Sequence, residues 1–447
     1  MNHPFSDAKE YFLEISIIAI PVTLESVAEY VLIFTDMAFV GRYQTVGLAA
    51  INNALMPFFT LMSLYFAIAQ GATILMTQRL GGKKASHARR VAETAFFYNT
   101  LLALLYGVFW LLAGRKILEL VGARGDILEI GAQYLSCLAI QFVTLGLGLA
   151  ADSVLQAQNR FVLLSAVVIG KMLLNVFLDW AMIFGRCGFP EMGVAGSALA
   201  TSVSSIVGDA ALVFLLLRDR SLPRIRLKGV FANNVAHLRR IGRIGLPLGM
   251  EYILWMLGQT ILIAMMNRVD NMVSGYFGVV NTLLNLSVYI YIGIGTANMM
   301  LVGKAVGARR PKEMLNATKY SLLFTMALCV VVGAIFLLFP VSLMSIFVKE
   351  ADIQVKLAAL APLLTLIIFP RAINIVGGNS IRGMGKTTWL MATQLLGTIM
   401  IAALGAVSLF MLKWGLAGVI LAMVVEEFWR GCANLIYFYH YAAKTPP

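Results

Sequence analysis

IPVTLE at 20–25 and LPLGME at 246–251 are two versions of one segment, and their spacing decides the architecture. Pro21 and Pro247 stand 226 residues apart (247 − 21), and the same interval joins Glu25 to Glu251, Arg42 to Arg268 and Gly81 to Gly307. It also brings LGGKK at 80–84 into step with VGARR at 306–310. A later pair, GVAG at 193–196 and GLAG at 415–418, is offset by 222 (415 − 193), so the second copy has lost a few residues. An interval held over about sixty residues, with proline, glycine and basic clusters in step, marks a duplicated unit rather than a chance match.

The material between these landmarks is apolar. Of 447 residues, 60% are hydrophobic and 13% charged, with a mean hydropathy of +0.83. A soluble domain of this length needs more polar surface to cover its core. The apolar runs are continuous rather than alternating, which excludes a transmembrane β-barrel. Most reach 20 residues, enough to cross roughly 30 Å of hydrocarbon as a helix. The sequence therefore predicts an all-α polytopic membrane protein of about twelve spans. They fall at 12–34, 48–75, 91–113, 129–150, 162–184, 193–217, 244–266, 273–301, 316–339, 355–377, 388–411 and 415–439. The tenth is interrupted by Pro370, Arg371 and Gly377–Gly378.

Duplication of six spans gives two pseudo-symmetric lobes in the same orientation, related by an axis along the membrane normal. The expected domains are an N-terminal lobe at 1–217, a basic linker at 218–243 and a C-terminal lobe at 244–447. Two such bundles can open a central cavity to either side by rocking, which suits a transporter.

The formal charge of +13 raises nucleic acid as a partner, but its distribution argues against that. Arg79, Lys83, Lys84, Arg89 and Arg90 follow span 2. Arg218, Arg220, Arg224, Arg226, Lys228, Arg239, Arg240 and Arg243 follow span 6, and Lys304, Arg309, Arg310 and Lys312 follow span 8. These are even-numbered loops on one side of the bilayer, so the pattern is positive-inside. It predicts an inner-membrane protein with both termini cytoplasmic, its partners being the lipid bilayer and small solutes rather than nucleic acid. A first span that starts at once, with no small-residue cleavage site, reads as a retained helix. Cys137, Cys187, Cys329 and Cys432 form no paired motif.

Enzymatic signatures fail on context. SIRGMGKT at 380–387 approaches a phosphate-binding loop, but its first position is Ser380 and no strand precedes it. His3, His87, His237 and His440 lie in tails or loops, with no metal-ligand spacing. No GxSxG accompanies Lys171, so a serine-based membrane hydrolase has no support. The chain is expected to be no enzyme and to need no cofactor beyond a coupling ion.

The chemistry lies in acids placed within hydrocarbon. Glu25, Glu29 and Asp36 share span 1; Asp152, Asp179, Asp209 and Glu251 follow in spans 4, 5, 6 and 7. A charge at mid-bilayer costs at least about 2.5–3.5 kcal/mol, so such groups face a cavity, pair with one another or carry an ion. Asp36 lies toward the outer half of span 1, beside Thr35 and Gly41 and without a basic neighbour in its span. In span 5, Lys171, Asn175 and Asp179 fall on one helix face at i, i+4 and i+8. Their bland reading is a set of structural polar contacts. Their functional reading is an oxygen-ligand stripe for Na⁺, or a carboxylate pair that shares a proton. Lys171, one turn from Asn175, supplies a fixed positive charge that disfavours Na⁺. Glu426 and Arg430 are spaced to pair locally. Glu25, Glu29 and Glu251, with Met256, Tyr276 and Met300 of spans 7 and 8, are candidates for lining a substrate cavity; thioethers suit varied apolar ligands. For the methionines and the tyrosine, lipid-facing or bundle-packing positions are the ordinary alternative.

Several stretches together resemble the multidrug and toxic compound extrusion (MATE) family of cation-coupled efflux transporters. They are Pro21, TDMAFVGRYQTVGLAA at 35–50, AQGAT at 69–73, NVFLDWAMIFG at 175–185 and GFPEMGVAGSALAT at 188–201 in the first half. IGLPLGME at 244–251, VGARRPKEM at 306–314 and IRGMGKT at 381–387 follow in the second. The resemblance covers nearly the whole chain. It implies twelve helices around a V-shaped cavity, exchange of H⁺ or Na⁺ for organic and often cationic or amphipathic solutes, and action as a monomer. It also implies a cation-coupling site at Asp36, Asn175, Asp179 and Thr201, a possible Na⁺ position; Thr201 enters from the resemblance alone. The sequence departs from the pattern at LQAQNR, 155–160, where many members carry an Arg-Gly turn like Arg382–Gly383. Lys171 has no counterpart in the pattern, and Glu251 stands too near the start of its span to be equated with the family's span-7 acid. A lipid-linked sugar flippase of the same superfamily is the alternative; those proteins line the cavity with cationic residues and often add spans.

Overall fold

The computed structural model describes residues 8–219, 225–232, 235–269 and 271–444. The expected spans form a run of long helices: α1 (Ala8–Tyr43), α2 (Thr45–Gly81), α3 (Ala85–Val121), α4 (Asp126–Leu138), α5 (Phe142–Ala157), α6 (Phe161–Ile183) and α7 (Gly193–Arg218). A short α8 (Leu227–Val230) precedes α9 (Val235–Val269), α10 (Asn271–Ala308), α11 (Pro311–Leu338), α12 (Pro340–Ser345), α13 (Ala351–Ala358), α14 (Ala361–Met384), α15 (Thr387–Ala406) and α16 (Gly415–Lys444). The protein is all-α among the described residues, and eleven of its helical stretches are long and apolar enough to cross a membrane. α4 and α5 count as one of these, joined by a 3₁₀ turn at Ala139–Gln141. The predicted twelfth span is α16, whose middle carries Glu426, Glu427 and Arg430.

The tenth span differs from its predicted limits. Its helix begins at Ala361, after the separate α13, and runs unbroken through Pro370, Arg371 and Gly377–Gly378 to Met384. Proline and glycine are tolerated inside a membrane helix where neighbouring groups satisfy the freed backbone. The phosphate-loop look-alike is also mostly helix: Ser380–Met384 end α14, Gly385 takes the left-handed conformation (φ 72°), and Lys386 precedes α15. Ser380 is fully buried and bonds Asn298 and Thr318 (2.7 and 2.9 Å), so it closes a polar contact between helices rather than a phosphate cradle.

The repeat is visible in backbone detail. Lys83 and Arg309, both at φ near 57°, end the equivalent α2 and α10 (φ 55° and 58°). Asn159 (φ 59°) occupies the position that Gly385 holds in the second copy. Asparagine is one of the few residues other than glycine that adopts this conformation readily.

The chain divides into two compact units: Leu24–Gly249, and Met1–Thr23 together with Met250–Pro447. They are called here the N unit and the C unit. The division falls inside α1 and α9, at repeat-equivalent positions (250 − 24 = 226), three residues after Pro21 and Pro247. It thus differs from the expected cuts at 217 and 244. The reason is packing. The start of α1 belongs to the C unit, where Tyr11 stacks on Tyr320 (5.1 Å) and Thr23 donates to the Ile290 carbonyl (3.4 Å). The start of α9 belongs to the N unit, where a Cβ on Gly71 or Gly245 would lie 2.7 Å from a backbone carbonyl of the facing helix. Such backbone proximity needs small residues and is a common way for helices to associate in lipid. Of the basic linker, residues 220–224 and 233–234 lie outside the described residues, as do both chain ends.

Candidate functional site

Within the N unit, α1, α6 and α7 bring together the four residues proposed for coupling. Asp179 is fully buried and Asn175 nearly so; Asp36 is half-buried. The carboxyl groups of Asp36 and Asp179 reach each other, and Ser197 of α7 stands beside Asp179. Asn175 Nδ2 donates to Thr201 Oγ1 at 3.4 Å, which leaves the Asn175 carbonyl oxygen free. Treated as ionised, Asp36 Oδ1 and both Asp179 oxygens are buried without a donor among the described residues. Two carboxylates cannot bond each other because both only accept. A proton on one of them, or a cation between them, turns the same geometry into a satisfied one.

Two further residues adjoin this site. Tyr134 of α4 is buried and close enough to interact with both aspartates. Ser197 lies within the GFPEMGVAGSALAT stretch, four residues before Thr201, on the same face of α7. Tyr134 carries no sequence signal, since helix packing alone brings α4 to the pair.

A second polar cluster occupies the same unit. Glu25 and Glu29 of α1, Asp152 of α5 and Asp209 of α7 all feel the charge of Lys171 on α6. Ser165 donates to Glu25 (3.3 Å), Gln156 to Asp152 (2.8 Å) and Thr144 to Asp209 (3.0 Å).

The C unit treats the equivalent positions differently. Asp36, Asn175 and Asp179 map through the interval of 226 to Leu262, Ile401 and Gly405; Thr201 maps through 222 to Met423. Leu262, Ile401 and Met423 all belong to one buried apolar cluster. The Leu262 side chain occupies the space beside Gly405, where an added Cβ would meet it at 2.6 Å. The charges of this unit lie elsewhere. Glu427 accepts from Arg371 Nε (3.1 Å), Asn374 Nδ2 (2.8 Å) and an Arg430 terminal nitrogen (3.3 Å). Glu426 pairs with Arg430 at 3.0 Å, as its spacing predicts. Two acids and two guanidinium groups thus neutralise one another beside a small pocket lined also by Trp255, Gln259 and Thr398.

Among the substrate-cavity candidates, Glu251 forms an ion pair with Arg382 of α14 (3.0 Å). Met300 is 1% exposed within the helix packing of the C unit, and Tyr276 lies against that unit's apolar cluster. Met256 is partly exposed on α9.

A repeated bundle of membrane-crossing helices, with acids at the compared positions of one copy and apolar residues or glycine in the other, defines a polytopic membrane protein of two related halves. The MatE family model matches residues 21–181 and again 247–408, and the chain belongs to that family. The two matches start at the two prolines of the repeat. The chain is 25% identical to the probable multidrug resistance protein NorM of Thermotoga maritima, over 97% of this chain and 94% of that one. It is 23% identical to the uncharacterized transporter YisQ of Bacillus subtilis, over 89% and 87%. The fold matches an outward-facing multidrug resistance MATE family transporter of the MOP superfamily, with a TM-score of 0.90 at 18% identity, covering 99% and 97% of the two chains. A MOP superfamily transporter from Pyrococcus furiosus matches at 0.89, also at 18% identity, covering 98% and 96%.

Proposed function

We propose that this protein exports small organic molecules, cationic or amphipathic in character, by antiport with H⁺ or Na⁺ across the inner membrane. Its termini and basic linker face the cytoplasm, as the positive-inside pattern requires. The observation that carries the reading is the Asp36–Asp179 pair, a half-buried and a fully buried carboxyl group with three oxygens that lack a donor among the described residues, beside Asn175 and Thr201. A transport cycle needs a site that is stable only when a cation is present and can release it when access changes. Names of the relatives, NorM among them, support multidrug efflux as the outward half of the exchange.

Two coupling schemes fit the site, each with its own support. The contact between the two carboxyl groups favours a shared proton. The free Asn175 carbonyl beside Thr201 favours an oxygen cage for Na⁺. Dye efflux from energised vesicles under an imposed sodium or proton gradient separates them. In the sodium scheme Asn175→Ala removes a ligand and abolishes sodium stimulation at fixed pH. In the proton scheme the same change is mild. Wild-type vesicles that respond to neither gradient would overturn coupled antiport.

A further inference from the structure

Lys171 is a buried-span lysine to which neither coupling scheme gives a task. Its surroundings do. The methylene stem lies across Gly208 of α7: a Cβ there would stand 2.9–3.2 Å from Lys171 Cβ, Cγ and Cδ, so only glycine leaves the channel in which the lysine runs. Asp179 stands two turns further on, about 12 Å along the axis, and Lys171 is not among the groups that act on it. The lysine charge instead acts on Glu25, Glu29, Asp152 and Asp209, which come from three other helices. Among the described residues Lys171 forms no contact ion pair within 4.0 Å. Three of the four acids already accept from a neutral donor, namely Ser165, Gln156 and Thr144. Asp209 is further seated against Gly148, where a side chain would collide with its carboxylate. Glu29 is exposed, so the cluster opens to the space beside α1. A lysine held in a glycine groove amid four acids, without closing on any of them, compensates the charge of the whole group rather than one partner.

The repeat shows why a lysine is needed here. In the C unit the equivalent of Glu25 is Glu251, and it is neutralised by Arg382. The N-unit position equivalent to Arg382 is Gln156 (382 − 226), which carries no charge and bonds Asp152 instead.

From this arrangement we infer that Lys171 is a specificity-determining residue: its ammonium sits as a tethered cation in the acidic wall of the N unit and sets how much positive charge a bound solute can bring. The inference rests on the organic-cation reading above, but its test is a binding measurement and does not depend on coupling. A fixed positive charge repels a ligand in proportion to the ligand's own charge. Removing it therefore strengthens binding of a monocation by some factor and of a dication by about the square of that factor. A factor of about five for tetraphenylphosphonium implies about 25 for methyl viologen.

The experiment is equilibrium binding of these two probes to purified full-length wild-type protein and to Lys171→Met, which keeps the length of the stem without the charge. The expected result is a dication-to-monocation affinity ratio about fivefold higher in the variant. Lys171→Arg, which retains the charge, should restore the wild-type ratio. Glu29→Gln, which removes a negative charge at the exposed edge, should shift the ratio the other way, and it serves as the test if Lys171→Met does not fold. A structural role alone would weaken both probes equally or lower thermal stability without moving the ratio, and that outcome overturns the inference. Failure of the wild type and all three variants to bind either probe overturns it as well. Loss of gradient-driven efflux with the ratio shift intact would count against coupled antiport and not against the role of Lys171.

Discussion

The two units of this protein share a helix plan and distribute charge in opposite ways. In the N unit, Asp36 and Asp179 face each other with oxygens that no donor satisfies. In the C unit the same two positions are Leu262 and Gly405, packed against each other. The second polar layer is inverted as well. In the N unit the cation comes from α6 as Lys171 and lies over Gly208 of α7. In the C unit the charges come from α16 and, as Arg371, from α14, and the carboxylate of Glu426 lies over Gly397 of α15, the equivalent of Lys171. Glycine alternates with the charged side chain between the two copies, since the gap between the paired helices holds one large group. Among the described residues the Asp36–Asp179 pair has no cationic side chain against it, whereas each of these C-unit acids has a guanidinium group: Glu427 has Arg371 and Arg430, Glu426 has Arg430, and Glu251 has Arg382. A duplicated fold thus carries an acid pair without a cationic partner in one copy and ion-paired acids in the other.

The largest expected effect tests the open side of this contrast. Asp36→Asn should reduce gradient-driven efflux to the leak level while leaving insertion and folding intact, since an amide cannot exchange a proton or hold a cation as a carboxylate does. The matching change in the C unit, Leu262→Met, should keep coupled efflux, because the position is part of a packed apolar cluster and the swap conserves volume. Vesicle efflux assays with both variants check the pair. Wild-type rates in Asp36→Asn would make the aspartate structural and erase the difference between the units.

The closed side predicts a stability effect instead. Arg371→Met removes one of the donors of Glu427, which is 5% exposed. Breaking a buried ion pair from one side costs about 3–5 kcal/mol, because the remaining charge stays desolvated. The expected outcome is a lower unfolding midpoint in detergent, with efflux per folded molecule keeping its dependence on the gradient. If instead the ion response vanished while stability held, the C-unit network would be part of coupling.

Much of this was legible in the residues, for identifiable reasons. The duplication shows because prolines, glycines and basic clusters kept their spacing while apolar positions drifted. The clustered polar residues Asp36, Asn175 and Asp179 show because acids in hydrocarbon are costly and two of the three share a helix face. Tyr134 and the inverted glycine–charge contacts do not show, since they depend on which helices meet and how closely. The division of α1 and α9 between units does not show either. Pro21 and Pro247 mark the place, but only packing assigns the segments before them to one unit or the other. The start of α14 at Ala361 does not show because residues 355–360 are apolar enough to look continuous with it.

The smallest expected effect comes from making the N unit resemble the C unit at one position. Gln156→Arg installs the equivalent of Arg382 near Glu25, whose only hydrogen bond among those described comes from Ser165. Glu25 is only partly buried, so the new pair faces water on one side and should contribute no more than about 1 kcal/mol. An arginine here also adds a second fixed positive charge to the wall that Lys171 already occupies. Affinity for tetraphenylphosphonium should therefore fall, by less than about fivefold. In the double variant Gln156→Arg, Lys171→Met the arginine replaces the lost charge, and affinity should return toward the wild-type value. Recovery in the double variant would mean that both positions act on the ligand through their charge. An affinity no better than that of Gln156→Arg alone would mean that removing the lysine relieves nothing, and that the N unit keeps its acids open for a reason other than the charge balance seen in its repeat.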